Sequence, residues 1–93
     1  MFWMEVVKFR TSSGKASRFI GELKQQIAKD ISGAEALQKI SFFVNRPVES
    51  DLAIVLVWSS GAIDRAGSTL GRQLTGCLRE FGWVDHSIWE ESA

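Results

Sequence analysis

Leu52-Ala53-Ile54-Val55-Leu56-Val57-Trp58 is the longest uninterrupted apolar run in the chain, seven residues of mostly β-branched and aliphatic side chains. It is far short of the roughly 20 residues that span a bilayer as a helix, and its composition is that of a buried strand. Alternate residues of a strand point to opposite faces, so Leu52, Ile54, Leu56 and Trp58 share one face and Ala53, Val55 and Val57 the other. Both faces are apolar. An antiparallel sheet with helices on one side ordinarily shows polar residues on its open side, and this strand predicts that its second face is covered as well.

Working outward, the polar stretch Asn45-Arg46-Pro47-Val48-Glu49-Ser50-Asp51 links this strand to Ala36–Arg46, which carries Leu37, Ile40, Phe42, Phe43 and Val44. The two segments read as a hairpin, with Pro47 in the connection because it has no amide hydrogen for a ladder. Upstream, Phe2–Thr11 is a first strand, with Met4 and Val6 on one parity and Trp3, Val7 and Phe9 on the other. After Thr11-Ser12-Ser13-Gly14, the residues Ala16, Phe19, Ile20, Leu23, Ile27 and Ile31 recur at helical spacing, predicting a first helix that ends near Ser32-Gly33. Downstream, Ser59-Ser60-Gly61 opens a second helix over Ala62–Phe81, with Asp64 in its first turn. Its apolar stripe is Ile63, Ala66, Leu70, Leu74, Cys77, Leu78 and Phe81, and Gly82 closes it. Trp83–Trp89 is the last strand, before an acidic Glu90–Ala93 tail.

The order β-α-β-β-α-β in 93 residues predicts one domain over 1–93, an α+β ferredoxin-like sandwich with a four-stranded antiparallel sheet and both helices on one face. The doubly apolar strand predicts a homodimer, since a two-fold axis makes one patch complementary to itself. Eleven basic against eleven acidic residues remove the electrostatic argument for nucleic acid or an anionic membrane. An RNA-binding sheet needs aromatic and basic residues on its open central strands, where Leu52–Val57 offers aliphatics. The lone Cys77 rules out an internal disulfide framework and fits a reducing, cytoplasmic setting, and the N-terminus has neither a basic leader nor a long apolar core. No metal centre and no Cys-x-x-Cys carrier loop is expected, because Thr11–Gly14 lacks cysteine and a single histidine builds no site of known spacing.

Ile40–Ser59, a phenylalanine-bearing strand, a Pro/Asp hairpin and an aliphatic strand ending in Trp58, resembles the antibiotic-biosynthesis-monooxygenase-type family of dimeric α/β barrel proteins. The resemblance implies sheets packed face to face in a dimer, with a ligand cavity between each sheet and its own helices. It implies cofactor-independent oxidation of a hydrophobic organic substrate, so that no cofactor is expected, and it assigns Trp58 to the cavity. Haem-degrading members need an Asn on the first strand and a His on the second helix. This chain has neither.

His86, the only histidine, shares parity with Val84 and Ile88 and is the candidate acid/base or ligand-orienting group beside Trp58. The competing reading is a packed or edge histidine. Asp85 points to the opposite face, so a His-Asp pair is not expected. Gly67 and Gly71, four apart on the second helix, are candidate ligand-approach positions or, alternatively, sites of close packing on the first helix, which carries Gly21. Trp3, Trp83 and Trp89 read as core and interface aromatics. Arg65, Arg72 and Arg79 read as one solvated helix stripe, and Cys77 as a small buried hydrophobe. A non-catalytic module that binds or senses a small molecule, of the ACT type, has the same strand order and is the alternative function.

Overall fold

The computed structural model describes residues 2–30, 36–59 and 65–92. Strand β1 (Trp3–Thr11) leads through a single 3-10 turn at Ala16–Phe19 into helix α1 (Ile20–Asp30). Strands β2 (Leu37–Val44) and β3 (Asp51–Trp58) form the hairpin, followed by helix α2 (Thr69–Leu78) and strand β4 (Gly82–Glu90). The sheet is antiparallel throughout, in the order β2-β3-β1-β4. This is the ferredoxin-like α+β arrangement expected from the element order.

Register assigns the faces. Trp3, Val7 and Phe9 of β1 lie beside Trp58, Ile54 and Leu52 of β3, and all are buried with Leu56. Over this inner face sit Ala16 and Phe19 of the 3-10 turn, Leu23 and Ile27 of α1, and Leu70, Leu74 and Leu78 of α2, making one apolar core. Phe19 joins the layers by meeting Phe9 edge-on at 5.2 Å.

The outer face holds Met4 and Val6 of β1, Ala53, Val55 and Val57 of β3, Phe43 of β2, and Trp83 and Trp89 of β4. Phe43, Trp83 and Trp89 are 56%, 62% and 55% exposed, so this single chain leaves large apolar rings in water. No helix among the described residues is long and apolar enough to cross a membrane.

Helix α2 departs from expectation at its start. It begins at Thr69, not Ala62, because Gly67 has a φ of +90°, which L side chains rarely adopt, and Ser68 caps the helix by accepting the Gly71 N–H at 2.9 Å. Ser59 instead bonds the Ala36 carbonyl through its backbone N–H and its hydroxyl. The proposed cap residues Ser60 and Gly61, the first-turn Asp64, Ile63 of the stripe and the expected stop at Ser32-Gly33 lie outside the described residues. Ala66 is exposed and precedes the helix, so it is not part of the apolar stripe. Arg65 also precedes α2 and Arg79 caps its end, so the three arginines do not form one helical stripe. Phe81 lies beyond the helix and is 42% exposed, tilted against Phe19, while Cys77 is half-buried with Sγ 3.9 Å from Gln26 Oε1. Gly82 opens β4 instead of closing α2. A Cβ there would overlap the Arg10 carbonyl.

Asp51 at the head of β3 receives a two-pronged bond from Arg10, Nε to Oδ1 at 2.6 Å and Nη2 to Oδ2 at 2.9 Å. The Arg10 hydrogen bond and charge hold the Asp51 carboxyl below its ordinary value. The folded state therefore binds the proton less readily than the unfolded chain. The stabilisation is fully present above the ordinary carboxylate pKa of about 3.9 and is lost as pH falls through the lowered folded value. Denaturant titrations stepped from neutral to acid should show Asp51→Asn less stable than wild type at pH 7, with the difference closing in acid. Because Arg10 is solvated, the difference should also shrink with added salt.

Candidate functional site

Glu5 is the one acid on the inner face of β1, between Trp3 and Val7, and it is 0% exposed. Its two sheet neighbours are aliphatic, Leu56 on β3 and Ile88 on β4. A carboxylate so placed is costly unless it is met by donors. Three polar groups meet it, from three elements. The Trp58 indole N–H donates to Oε1 at 2.9 Å, the Ser68 backbone N–H donates to Oε2 at 3.0 Å, and His86 Nε2 lies 2.7 Å from Oε2.

Sheet geometry explains this convergence. Trp58 is paired with Trp3 and His86 with Val7, so both stand diagonally from Glu5 on the same face, one on each flanking strand. Trp3 stacks on Trp58 with centroids 5.5 Å apart and planes at 15°, which fixes the indole that reaches the carboxylate. Above, the N-terminus of α2 contributes the Ser68 N–H and two bare glycines. A Cβ at Gly71 would overlap Glu5 Oε2, and one at Gly67 would overlap His86 Cε1 and lie 2.8 Å from Glu5 Oε2.

All four residues singled out in the sequence, Trp58, His86, Gly67 and Gly71, thus surround one carboxylate. The room at the glycines is taken by the Glu5 and His86 side chains. A Cβ added at Gly21 would meet nothing within 4 Å, so close packing of α2 on α1 is not what these glycines serve. Trp3 joins the cluster from the core side, whereas Trp83 and Trp89 point to the outer face. Asp85 also faces outward, as its parity requires.

Glu5 and Ser68 were not recognised in the sequence. Glu5 carried a signal, since it shares parity with Trp3, Val7 and Phe9 and is the only charged residue in that set. Its partners lie 53, 63 and 81 positions away, beyond any local spacing rule.

What the cluster can do chemically is hold an imidazole. His86 is part-buried, and its bond to the acid runs through Nε2, so that Nδ1 takes no part in it. That is the acid–histidine half of a general-base arrangement. No group of three or more His, Cys, Asp or Glu that could hold a metal ion occurs among the described residues. Two grooves open on the opposite, outer face. One of about 480 Å³ runs between Phe43 and Trp83 over Lys8, Arg10 and Ala53, and another of about 320 Å³ lies beside Phe2, Met4, Val57 and Trp89.

No protein-family model matches the sequence, and no curated protein matches it. Solved structures do. SnoaB, a cofactor-independent oxygenase from Streptomyces nogalater, solved as a variant, aligns over 99% of this chain and 94% of its own at 12% identity and a TM-score of 0.66. A putative antibiotic biosynthesis monooxygenase from Bordetella bronchiseptica aligns over 99% and 97% at 12% identity and a TM-score of 0.62. Another antibiotic biosynthesis monooxygenase aligns over 100% and 98% at 13% identity and a TM-score of 0.61. At these identities the likeness is one of fold, and it extends the resemblance seen in the Ile40–Ser59 hairpin to the whole chain: the protein has the fold of the antibiotic-biosynthesis-monooxygenase-type proteins.

Proposed function

We propose that this protein is a homodimeric, cofactor-independent monooxygenase-type enzyme that takes a hydrophobic, electron-rich organic substrate on the helix side of its sheet, beside Trp58 and His86. The observation that carries this reading is the convergence of Trp58 and His86 on the buried Glu5 carboxylate. The oxygenase fold of SnoaB supports the class of chemistry. His86 serves as the base that draws a proton from an activated methylene or hydroxyl group, and Trp58 orients the flat substrate. In net terms a ring CH₂ becomes C=O. Dioxygen supplies the carbonyl oxygen, its second atom leaves as water with the two hydrogens, and the substrate itself is the reductant.

Gly67 and Gly71 act for the ligand indirectly, by letting the Glu5 and His86 side chains lie directly under the start of α2. The homodimer is supported by the outer face. Its exposed rings at Phe43, Trp83 and Trp89 flank the aliphatic stripe Val55 and Val57, and a second copy would cover rings and stripe together.

Two measurements test this reading, and a third tests the packing beneath it. Oxygen uptake and ¹⁸O incorporation with a panel of hydroxylated polycyclic aromatics, without added cofactor, should show turnover that His86→Ala lowers by about 10²–10⁴-fold, the usual range for loss of a general base. Tight ligand binding without oxygen uptake would instead select the non-catalytic binding module. Sedimentation should give twice the chain mass, reverting to one chain in Val55→Lys, and a monomeric wild type would overturn the dimer. In urea denaturation, Gly71→Ala should be destabilised by about 1–3 kcal/mol, because its Cβ displaces Glu5. Gly76→Ala, in the same helix with open space around it, should gain about 0.4–1 kcal/mol.

A further inference from the structure

We infer that Glu5 is the positioning residue of this site, holding the His86 ring in one tautomer so that the proton stays on Nε2 and Nδ1 is the nitrogen presented for chemistry. The inference rests on His86 being the acid/base group proposed above, but its geometry stands by itself. Both other partners of Glu5, the Trp58 indole N–H and the Ser68 backbone N–H, can only donate. Each carboxylate oxygen already accepts one of them, Oε1 from Trp58 and Oε2 from Ser68, and His86 Nε2 lies 2.7 Å from Oε2. An oxygen pair surrounded in this way is an acceptor, so the imidazole nitrogen facing it is the donor.

The surrounding structure removes other arrangements. The carboxylate cannot slide toward α2, because the backbone at Gly67 and Gly71 already lies against it without a Cβ between. It cannot retreat into the sheet, where Leu56 and Ile88 flank it. Trp58 cannot follow a displaced carboxylate freely, since its ring is stacked on Trp3. Glu5 thus orients two groups at once, the ring of His86 and the indole of Trp58. Its effect on a reaction passes through them.

The chain has one histidine, so the imidazole nitrogen resonances belong to His86 without assignment by mutation. The experiment is ¹⁵N-detected histidine NMR of the full chain at alkaline pH, where an imidazole is neutral, on wild type, Glu5→Gln and Gly71→Ala. Wild type is expected to show a single tautomer with the proton on Nε2. Glu5→Gln keeps the shape but introduces an amide N–H₂ among donors, and it is expected to yield a mixture or the Nδ1–H form. Gly71→Ala displaces the same carboxylate without altering its charge and is expected to move the tautomer in the same direction. A wild-type ring protonated on Nδ1 would overturn the proposal, as would folded variants that both retain pure Nε2–H. If Glu5→Gln does not fold, the wild-type spectrum and Gly71→Ala decide.

Because the readout is a tautomer and not turnover, it separates the two ideas. An Nε2–H ring in a protein that consumes no oxygen would retain Glu5 as the orienting group and remove the oxygenase reading. In an active protein, Glu5→Gln should lower kcat and alter the pH profile, since the ring it orients is the one that takes the proton.

Discussion

A carboxylate with no access to water has to be answered by donors, and the three that answer Glu5 come from β3, β4 and the start of α2. Hydrogen bonds to a charged group contribute about 1.5–3 kcal/mol each, while removing one partner leaves the carboxylate short of a donor in a low-dielectric interior. The consequence is positional. β1 lies at the centre of the sheet, so tying its one inner acid to both flanking strands and to a helix fixes the register of all four elements against one another. Gly67 turns with a positive φ, Ser68 offers its backbone N–H to the acid and its hydroxyl to the helix, and Gly71 leaves the carboxylate its space. The conformation of the whole 67–71 segment answers to a single oxygen pair.

The sheet then separates two tasks. Its inner face is closed by aliphatic packing around Ile54, Leu56 and Leu74, with the polar cluster confined to the end where Trp3 and Trp58 stack. Its outer face is apolar without a cover in a single chain, and its rings stand on β2 and β4 at either side of the flat Ala53-Val55-Val57 stripe. A second copy applied to that face would leave the inner cluster untouched. The buried core and the exposed apolar face are thereby carried by alternate residues of the same strands, which is why strand β3 reads as apolar at both parities.

The fold was legible because strands advertise their parity and the hairpin advertises its turn. Leu52–Trp58, Pro47 and the β-α-β-β-α-β spacing suffice for the architecture, and the observed sheet order follows from it. The start of α2 was not legible. Ile63, Ala66 and Leu70 fall at helical spacing, and Ser59-Ser60-Gly61 offers a cap as acceptable in isolation as Ser68. What decides between them is tertiary: the Ser68 N–H has a buried carboxylate to satisfy, and that demand is invisible until β1 is laid under the helix. The arginine heptad failed for the same reason, since its first member lies before the helix begins.

The site was half legible, and the missing half is instructive. His86, Trp58, Gly67 and Gly71 were each conspicuous by residue type, as a sole histidine, an aromatic at a strand end and two bare positions near a helix. Nothing local connects them. Glu5 connects them, and it is inconspicuous because one acid in a strand of a neutral chain is usually solvated. The clue lay in its parity, on the side with Trp3, Val7 and Phe9, where a charge must find partners or the strand cannot bury that face. An acid on the core parity of a central strand is therefore better read as a demand for donors than as noise in the alternation. Here the demand is met by an indole that can only donate, by a backbone amide and by an imidazole. Of these the imidazole alone has a second nitrogen left over, and it is this surplus that gives a structural necessity the capacity for chemistry.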